Sequence, residues 1–268
     1  MLRLLKIEWN KIYSYKTTRI FLILYFVLLA SMGFLAMIIK PSVGGVSINL
    51  VKLGAYIFPS VWQNIAYFAD FGSIFLAIII ITNITNEYSY RTIKQNLIDG
   101  LTKKEFLLSK LLVSFIFAVL STVLVFAACI GLGLYYTQNP ASIFTGVEFV
   151  LGYFLKLSVF FSFCIFLAFA IRKSGFAFML IILWRFGEII LLGIEKINST
   201  SAFSLSNLLP GNAAAQLLPF PEIKLQNFMT GQAVFELGKF SAEYCAVVVA
   251  YMGLFVYLSY RLLKKRDL

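Results

Sequence analysis

The sequence predicts an all-α membrane protein with six transmembrane helices, folded as a single domain over residues 1–268. The mean hydropathy is +0.88, and 60% of the residues are apolar while 13% are charged, a balance outside the range of soluble globular proteins. A membrane-spanning helix needs about 20 mostly apolar residues to cross a hydrocarbon core of about 30 Å. Six segments meet this requirement, near residues 19–39, 64–86, 108–136, 149–171, 176–194 and 241–262.

The basic residues indicate how these helices are oriented. The net charge is +11, and with the N-terminus in the cytosol most of the 23 Lys and Arg residues fall in segments on that side. Cytosolic loops of membrane proteins carry such an excess, so both termini are expected in the cytosol. Orientation and the anionic lipid of the bilayer account for the positive charge, and no nucleic acid is expected as a partner.

Several kinds of chemistry are not expected of this chain. It has no His, the commonest general base and metal ligand, and Cys129, Cys164 and Cys245 lie in spans without paired spacing. It has no G-x-x-x-x-G-K-[ST] loop for nucleotide phosphates. We therefore expect no catalytic residues, no metal site and no cofactor in the chain itself. An intramembrane aspartyl enzyme would need a second Asp in a span beside Asp70, and the sequence has none.

Residues 1–18 are expected to form an amphipathic helix before the first span. Apolar side chains recur at spacings of three and four, as on one face of a helix, at Leu2, Leu5, Trp9 and Ile12. A basic helix with a Trp is typical of segments that lie in the membrane interface. The helix either lies in the plane of the inner head groups or extends the first span into the cytosol.

Residues 195–240 form a long outer loop before the last span. The loop contains "FSLSNLLPGNAAAQLLPFPE", an apolar run that Pro210, Gly211, Pro219 and Pro221 interrupt. Each half of this run is too short to cross a bilayer. Either the halves form re-entrant half-helices, which membrane proteins tolerate where they are enclosed by protein, or the loop forms a small extracellular cap.

The charged segment 87–107 lies between the second and third spans, and local signals predict its shape. Ile93 and Leu97 are four residues apart, on one face of a short helix. Gly100 is suited to the left-handed conformation that ends a helix. Residues 102–105, "TKKE", have the spacing of a capping box at the start of the next helix. These signals predict a rigid helix–turn–helix and not a flexible tether.

This segment resembles the corresponding one in the membrane subunits of type-2 ATP-binding-cassette (ABC) exporters, which also have an amphipathic N-terminal helix and six spans. Those proteins typically have a Glu, then a small residue and Thr, then Leu-x-x-Gly, and then a Ser/Arg pair and a Lys before the third span. The matching residues here are Glu87, Thr92, Leu97, Gly100, Thr102, Lys103 and Lys110. The sequence departs from that pattern at Arg91, where Gly is frequent, and at Leu101, where Pro is common.

The resemblance implies a permease subunit of an ATP-driven exporter in a bacterial inner membrane. In that family the segment docks as a coupling helix on a cytosolic ATPase, which binds ATP and Mg²⁺. Two permease chains, identical or homologous, then switch together between inward- and outward-facing states. The resemblance places the coupling contacts at Glu87, Arg91, Thr92, Ile93, Lys94, Leu97, Gly100, Thr102 and Lys103.

Other functions are compatible with the same sequence. The charged segment would also satisfy the orientation rule as a simple solvated loop. A non-transporting membrane anchor or assembly scaffold of the ABC type, within a larger envelope complex, would carry the same spans and the same segment. An ion-driven carrier would likewise use charges within the spans.

Four charged residues lie well inside the predicted spans, away from their ends: Asp70, Lys156, Arg185 and Glu188. At about 1.5 Å per residue, Asp70 and Lys156 both lie about 24 Å from the inner boundary, so they could pair. Arg185 and Glu188 are three residues apart, on the same face of one helix. Charges in a bilayer are costly and usually have partners. They either line a translocation path or gate, or they neutralise each other and hold helices together.

Overall fold

The structure is a computed structural model that describes residues 2–38, 42–43, 46–47, 54–98, 100–137, 143–198, 205–223 and 235–265. These residues are almost entirely helical. The helices are α1 Leu2–Ser14, α2 Lys16–Ile38, α3 Val61–Asp70, α4 Ser73–Ser89, α5 Thr92–Ile98, α6 Lys103–Tyr136, α7 Glu148–Ile171, α8 Ser174–Asn198, α9 Pro210–Leu217 and α10 Glu243–Lys265. A 3-10 turn covers Leu205–Leu208, and two antiparallel pairs of two-residue strands join β1 (Ser42–Val43) to β2 (Val46–Ser47) and β3 (Glu222–Ile223) to β4 (Phe235–Glu236).

Several of these helices have the length and composition of membrane spans. Within the described residues, five stretches qualify: Val61–Ser89, Lys103–Tyr136, Glu148–Ile171, Ser174–Glu195 and Glu243–Lys265. A sixth appears when α1 and α2 are taken together as one span bent by 87°. These stretches correspond to the segments predicted from hydropathy. The chain is therefore a helical protein of the multi-pass membrane type.

The second predicted span, 64–86, is broken into α3 and α4 at Phe71 and Gly72. The backbone N–H of Gly72 donates to the carbonyl of Ala69 at 2.9 Å, three residues back, which tightens the last turn of α3. A Cβ at Gly72 would lie 3.0 Å from the ring of Tyr25 on α2. The break therefore lies beside α2, and a larger residue at Gly72 would require the ring of Tyr25 to shift.

Helix α1 lies almost at right angles to α2, with a bend of 87° between residues 8–14 and 16–31. Among its side chains that the structure describes, Glu8 and Ile12 are buried, whereas Trp9 and Tyr13 are exposed. Trp9 and Ile12, which the spacing places on one apolar face, therefore differ in burial. The exposed aromatic rings have the amphipathic character of side chains that occupy a membrane interface, while the buried face packs against α2, α4 and α6.

Helix α7 forms the centre of the bundle, where it packs against α3, α4, α6, α8, α9 and α10. Apart from Glu148 and Lys156 it has no charged residue, as expected of a helix enclosed by others, and Phe149, Tyr153, Leu157 and Phe161 are among the most buried side chains. The hydroxyl of Tyr153 also hydrogen-bonds to Ser121 of α6 at 2.7 Å. This helix is the frame on which the other spans are arranged.

Helix α8 lies at the edge of the bundle and leaves most of its apolar side chains exposed. It continues to Asn198, four residues into the predicted outer loop. The rest of that loop includes the eight-residue helix α9, which begins with Pro210 at its first position and packs against α7, α8 and α10. Residues 199–204 and 224–234 of the loop lie outside the described residues.

Candidate functional site

A compact helical hairpin connects α4 to α6 through α5. Two residues with positive φ set its corners, Arg91 at 56° and Gly100 at 95°. Arg91 has the left-handed backbone conformation that glycine adopts more readily, so its side chain lies at a strained position. The left-handed conformation predicted for Gly100 is confirmed.

The capping box predicted before the third span is confirmed as well. The hydroxyl of Thr102 accepts from the backbone N–H of Glu105 at 3.2 Å, and the Glu105 carboxylate accepts from the backbone N–H of Thr102 at 2.9 Å. Two donors at the start of α6 are thereby satisfied reciprocally. The hairpin therefore enters α6 at a fixed angle.

The hairpin presents one face to solvent, which we call the exposed hairpin face. It consists of Tyr90, Arg91, Lys94, Gln95 and Ile98. Tyr90 and Ile98 are large apolar side chains that are mostly exposed, and sequence reasoning did not include them. A mixed basic and apolar patch of this kind is suited to contact with a protein partner.

Other residues predicted to contact an ATPase occupy different positions. Ile93 and Glu87 are buried, so they attach the hairpin to the bundle and are not exposed to a partner. Thr92 and Lys103 are half-buried, while Gly100 and Thr102 are exposed. Leu97 belongs to α5, but its side chain lies outside the described part of the chain.

Four charged side chains behind the hairpin form what we call the inner charge cluster: Glu8, Lys11, Glu87 and Lys110. The Lys110 ammonium lies 2.6 Å from Glu8 and also pairs with Glu87. Lys11 lies 3.0 Å from Glu87 and 3.6 Å from Glu8. Two carboxylates and two ammonium groups therefore neutralise each other in a buried position, the condition under which buried charges are tolerated.

The inner charge cluster joins four helices. Glu8 and Lys11 belong to α1, Glu87 to α4 and Lys110 to α6, and Asn96 of α5 donates to Glu87 at 3.5 Å. Uncharged groups also donate hydrogen bonds to the cluster: the side-chain amide of Asn83 donates to Glu8 at 3.0 Å, and the hydroxyl of Ser109 donates to Glu8 at 3.5 Å. A displacement of the hairpin would therefore be transmitted to α1 through these contacts.

The pKa values of the α1 members reflect this arrangement. Burial by itself raises the pKa of Glu8, but the charges of Lys110 and Lys11 and the hydrogen bonds from Lys110 and Asn83 outweigh it and lower the pKa below its ordinary value of 4.5. Burial lowers the pKa of Lys11, but Glu87 and Glu8 outweigh it and raise the pKa above 10.5. Both groups are therefore charged at neutral pH.

These shifts predict how stability depends on pH. A lowered pKa means that Glu8 stabilises the fold fully above pH 4.5 and that this contribution is lost as pH falls through the lowered value. The raised pKa of Lys11 gives a contribution that is lost only above pH 10.5. We expect the melting temperature of the wild type to exceed that of Glu8→Gln at pH 7, and the difference to be smaller at pH 3 than at pH 7. A difference of equal size at both pH values would contradict this assignment.

Glu8, which sequence reasoning missed, has a detectable signal. It follows Leu5 by three residues and precedes Ile12 by four, so it interrupts the buried stripe of an amphipathic helix. An acid at such a position requires a buried cationic partner. The partner itself could not be identified from the sequence, because Lys110 is 102 residues away.

The four ionisable residues predicted within the spans form two ion pairs. Lys156 of α7 lies 2.8 Å from Asp70 of α3, and Arg185 lies 2.7 Å from Glu188 on α8. Both pairings agree with those expected from depth and helical spacing. Each pair reduces the cost of placing its charges among apolar helices.

Glu188 is the most completely bonded of these four residues. It accepts hydrogen bonds from the indole of Trp184 at 2.8 Å and from the backbone N–H of Gly211, at the start of α9, at 3.0 Å. Arg185 also donates to the side chain of Asn212 at 3.2 Å. The carboxylate thus satisfies a donor at the N-terminus of α9, where negative charge is favoured. Trp184, Gly211 and Asn212 were not identified from the sequence, because α9 meets α8 only in the folded chain.

All four of these charged residues line one cavity of about 560 Å³. Its other walls are apolar and come from α4, α7, α8, α9 and α10, with Ile74, Val159, Phe163, Ala214 and Phe255 among them. The cavity lies away from the hairpin, because Asp70 is the last residue of α3 and the 17 residues of α4 separate it from the hairpin. The described part of the chain therefore has two separate charged regions, one beside the hairpin and one around this cavity.

Comparison with known proteins places the chain in a family. No curated protein matches the sequence. Residues 52–268 match the family described as protein of unknown function DUF2705, and the match covers the hairpin and all four charged residues of the cavity. The chain therefore belongs to the DUF2705 family.

Proposed function

We propose that this chain is the permease subunit of an ATP-driven exporter of the ABC type, located in a bacterial inner membrane with both termini in the cytosol. A separate cytosolic ATPase, which binds ATP and Mg²⁺, docks on residues 87–107. A second copy of the chain or a homologous permease completes the transmembrane unit. The bundle then alternates between inward- and outward-facing states as the ATPase closes and opens.

The observation that carries this proposal is the connection between the exposed hairpin face and the inner charge cluster. Arg91, Lys94 and Ile98 are accessible to a soluble partner, while Ile93 and Glu87 of the same hairpin are buried in the bundle. A force applied to α5 would therefore reach Glu87 of α4 through the hydrogen bond from Asn96, and α1 and α6 through the ion pairs of Glu87. Coupling of this kind requires a rigid element that both partners share.

The position of α9 supports a transport role. Gly211, near the N-terminus of α9, donates a hydrogen bond to Glu188 of α8. Glu188 lies ten residues before the end of α8 at Asn198, a distance of about 15 Å along the helix axis. At its other end, Leu217 packs against Gly152, near the start of α7. The helix thus enters the bundle with its N-terminus innermost, like the discontinuous helices of transporters. This arrangement favours the re-entrant alternative for part of the 195–240 loop.

The proposal is tested by purifying the tagged chain from its native membrane in mild detergent and measuring Mg²⁺-dependent ATP hydrolysis. We expect a nucleotide-binding subunit to co-purify, and Lys94→Glu combined with Ile98→Asp to reduce co-purified ATPase activity by more than about tenfold, since exposed apolar and charged anchors dominate such interfaces. Both substitutions change exposed side chains, so the fold is expected to be unaffected.

Lys173→Glu is the matched control. Lys173 is exposed between α7 and α8, at the hairpin end of the bundle, where the adjacent Arg172 lies 5.0 Å from the ring of Tyr88. This charge reversal is expected to leave the ATPase bound. Equal activity in the hairpin variant and in the control would refute docking at α5. An ATPase that binds at α5 but never supports movement of any substrate would favour the scaffold function instead.

A further inference from the structure

We propose that the 560 Å³ cavity between α4, α7, α8, α9 and α10 is a binding site for a zwitterionic phospholipid that enters from the bilayer. The volume falls within the range of about 300–1,000 Å³ that is typical of ligand sites. The head group would lie against the two ion pairs, and the acyl chains would leave through the mouth. This site would exist whether or not an ATPase docks on the hairpin.

The exposure of the four charged side chains determines which charges a ligand meets. Arg185 is 44% exposed and its partner Glu188 only 3%, while Asp70 is 26% exposed and its partner Lys156 16%. In each ion pair, the more exposed member is the one that a ligand in the cavity can contact more readily. These members are one guanidinium and one carboxylate, so the wall presents both signs of charge and no net charge.

The hydrogen bonds of Arg185 favour a phosphate as its ligand. Both bonds described for this side chain, to Glu188 and to Asn212, use Nη1. A guanidinium carries five N–H groups in a planar fork that matches phosphate oxygens. The amine of the same lipid would lie against Asp70, which makes a head group with a phosphate and an ammonium the complementary ligand.

The rim of the cavity indicates where the ligand comes from. Its exposed apolar members are Phe71, Ile74, Ile182, Trp184, Phe186 and Ile189, and Arg185 is exposed beside them. The apolar members are large, and they lie in or beside helices with the composition of membrane spans. A mouth of this kind opens into hydrocarbon and not into water, so the ligand is an amphiphile supplied by the membrane.

Adjacent positions on α8 allow a test that leaves both ion pairs intact. Ile189 lines the cavity, whereas Ile190 does not, and both are exposed. Ile189→Trp fills the mouth, and Ile190→Trp is its control for the added aromatic bulk. The purified chain is equilibrated with equal amounts of phosphatidylethanolamine, phosphatidylglycerol and diacylglycerol, and the retained lipid is measured by native mass spectrometry.

We expect the wild type and Ile190→Trp to retain phosphatidylethanolamine in preference to the other two lipids. Because the indole of Ile189→Trp would occupy part of the mouth, this variant is expected to reduce the retention about tenfold. Asp70→Asn removes the accessible carboxylate and leaves Lys156 without its partner, so it is expected to shift the preference toward phosphatidylglycerol. Its thermal unfolding is measured alongside to show that the chain is folded.

Two results would overturn the lipid site. One is equal retention of phosphatidylethanolamine by Ile189→Trp and Ile190→Trp. The other is an unchanged ratio of phosphatidylethanolamine to phosphatidylglycerol in folded Asp70→Asn. Neither measurement involves ATP or the hairpin, so failure of this site and failure of the ATPase docking are distinguishable.

Discussion

Replacing Lys110 with Met is expected to destabilise the folded chain by about 3–5 kcal/mol, the cost of removing one member of a buried ion pair. The Lys110 side chain is 1% exposed and pairs with both Glu8 and Glu87. Without it, two buried carboxylates face each other and share only Lys11. The loss is measured as a shift in the midpoint of unfolding by a denaturing detergent.

Lys104→Met is the matched control for this substitution. Lys104 belongs to the same helix but is exposed, with its ammonium 5.9 Å from the ring of Tyr260. Exposed charges of this kind contribute less than about 1 kcal/mol. If Lys110→Met unfolds at the same detergent concentration as Lys104→Met, the inner charge cluster does not hold the four helices together.

A double variant separates charge from packing at this position. In Lys110→Met with Glu87→Gln, the buried region keeps one carboxylate, Glu8, with Lys11 and Asn83 as its partners. Replacing a buried ion pair by uncharged groups of similar volume is often close to neutral. We therefore expect the double variant to recover more than half of the stability that Lys110→Met loses.

Much of the fold could be predicted because its signals are local. A span is recognised from about 20 apolar residues, and the capping box at Thr102 and the left-handed Gly100 depend only on neighbouring residues. The break at Gly72 was not predicted, and its neighbour Tyr25 belongs to another helix, which no local pattern identifies. The spacing placed Trp9 and Ile12 on one face of α1, and only the helices that cover α1 show that Ile12 is buried while Trp9 is exposed.

The candidate sites divide in the same way. The pairing of Asp70 with Lys156 followed from their equal depth, and that of Arg185 with Glu188 from their spacing of three residues. Contacts between segments that are distant in the sequence could not be expected from depth or helical spacing. Glu8 meets Lys110 over 102 residues, and Gly211 meets Glu188 over 23 residues, with an intervening loop that no periodicity describes.

The placement of α9 against α7 leads to a second large effect, at Gly152. A Cβ at this position would lie 2.6 Å from the backbone carbonyl oxygen of Leu217 and 3.0 Å from the ring of Phe240. A backbone oxygen cannot turn aside as a flexible side chain can, so Gly152→Ala forces α9 away from α7. We expect it to destabilise the chain by about 1–3 kcal/mol, the usual cost of overpacking, measured by the same detergent unfolding.

Gly253→Ala is expected to change the stability of the folded chain in the opposite direction to Gly152→Ala. Gly253 lies within α10, and no atom of the described chain lies within 4 Å of a Cβ built there. Alanine in a helix interior is favoured over glycine by about 0.5–1 kcal/mol, so this variant is expected to be more stable than the wild type. A stabilising Gly152→Ala would mean that α9 is not seated against α7. The hydrogen bond from Gly211 to Glu188 and the wall that α9 gives to the lipid cavity would then be lost together.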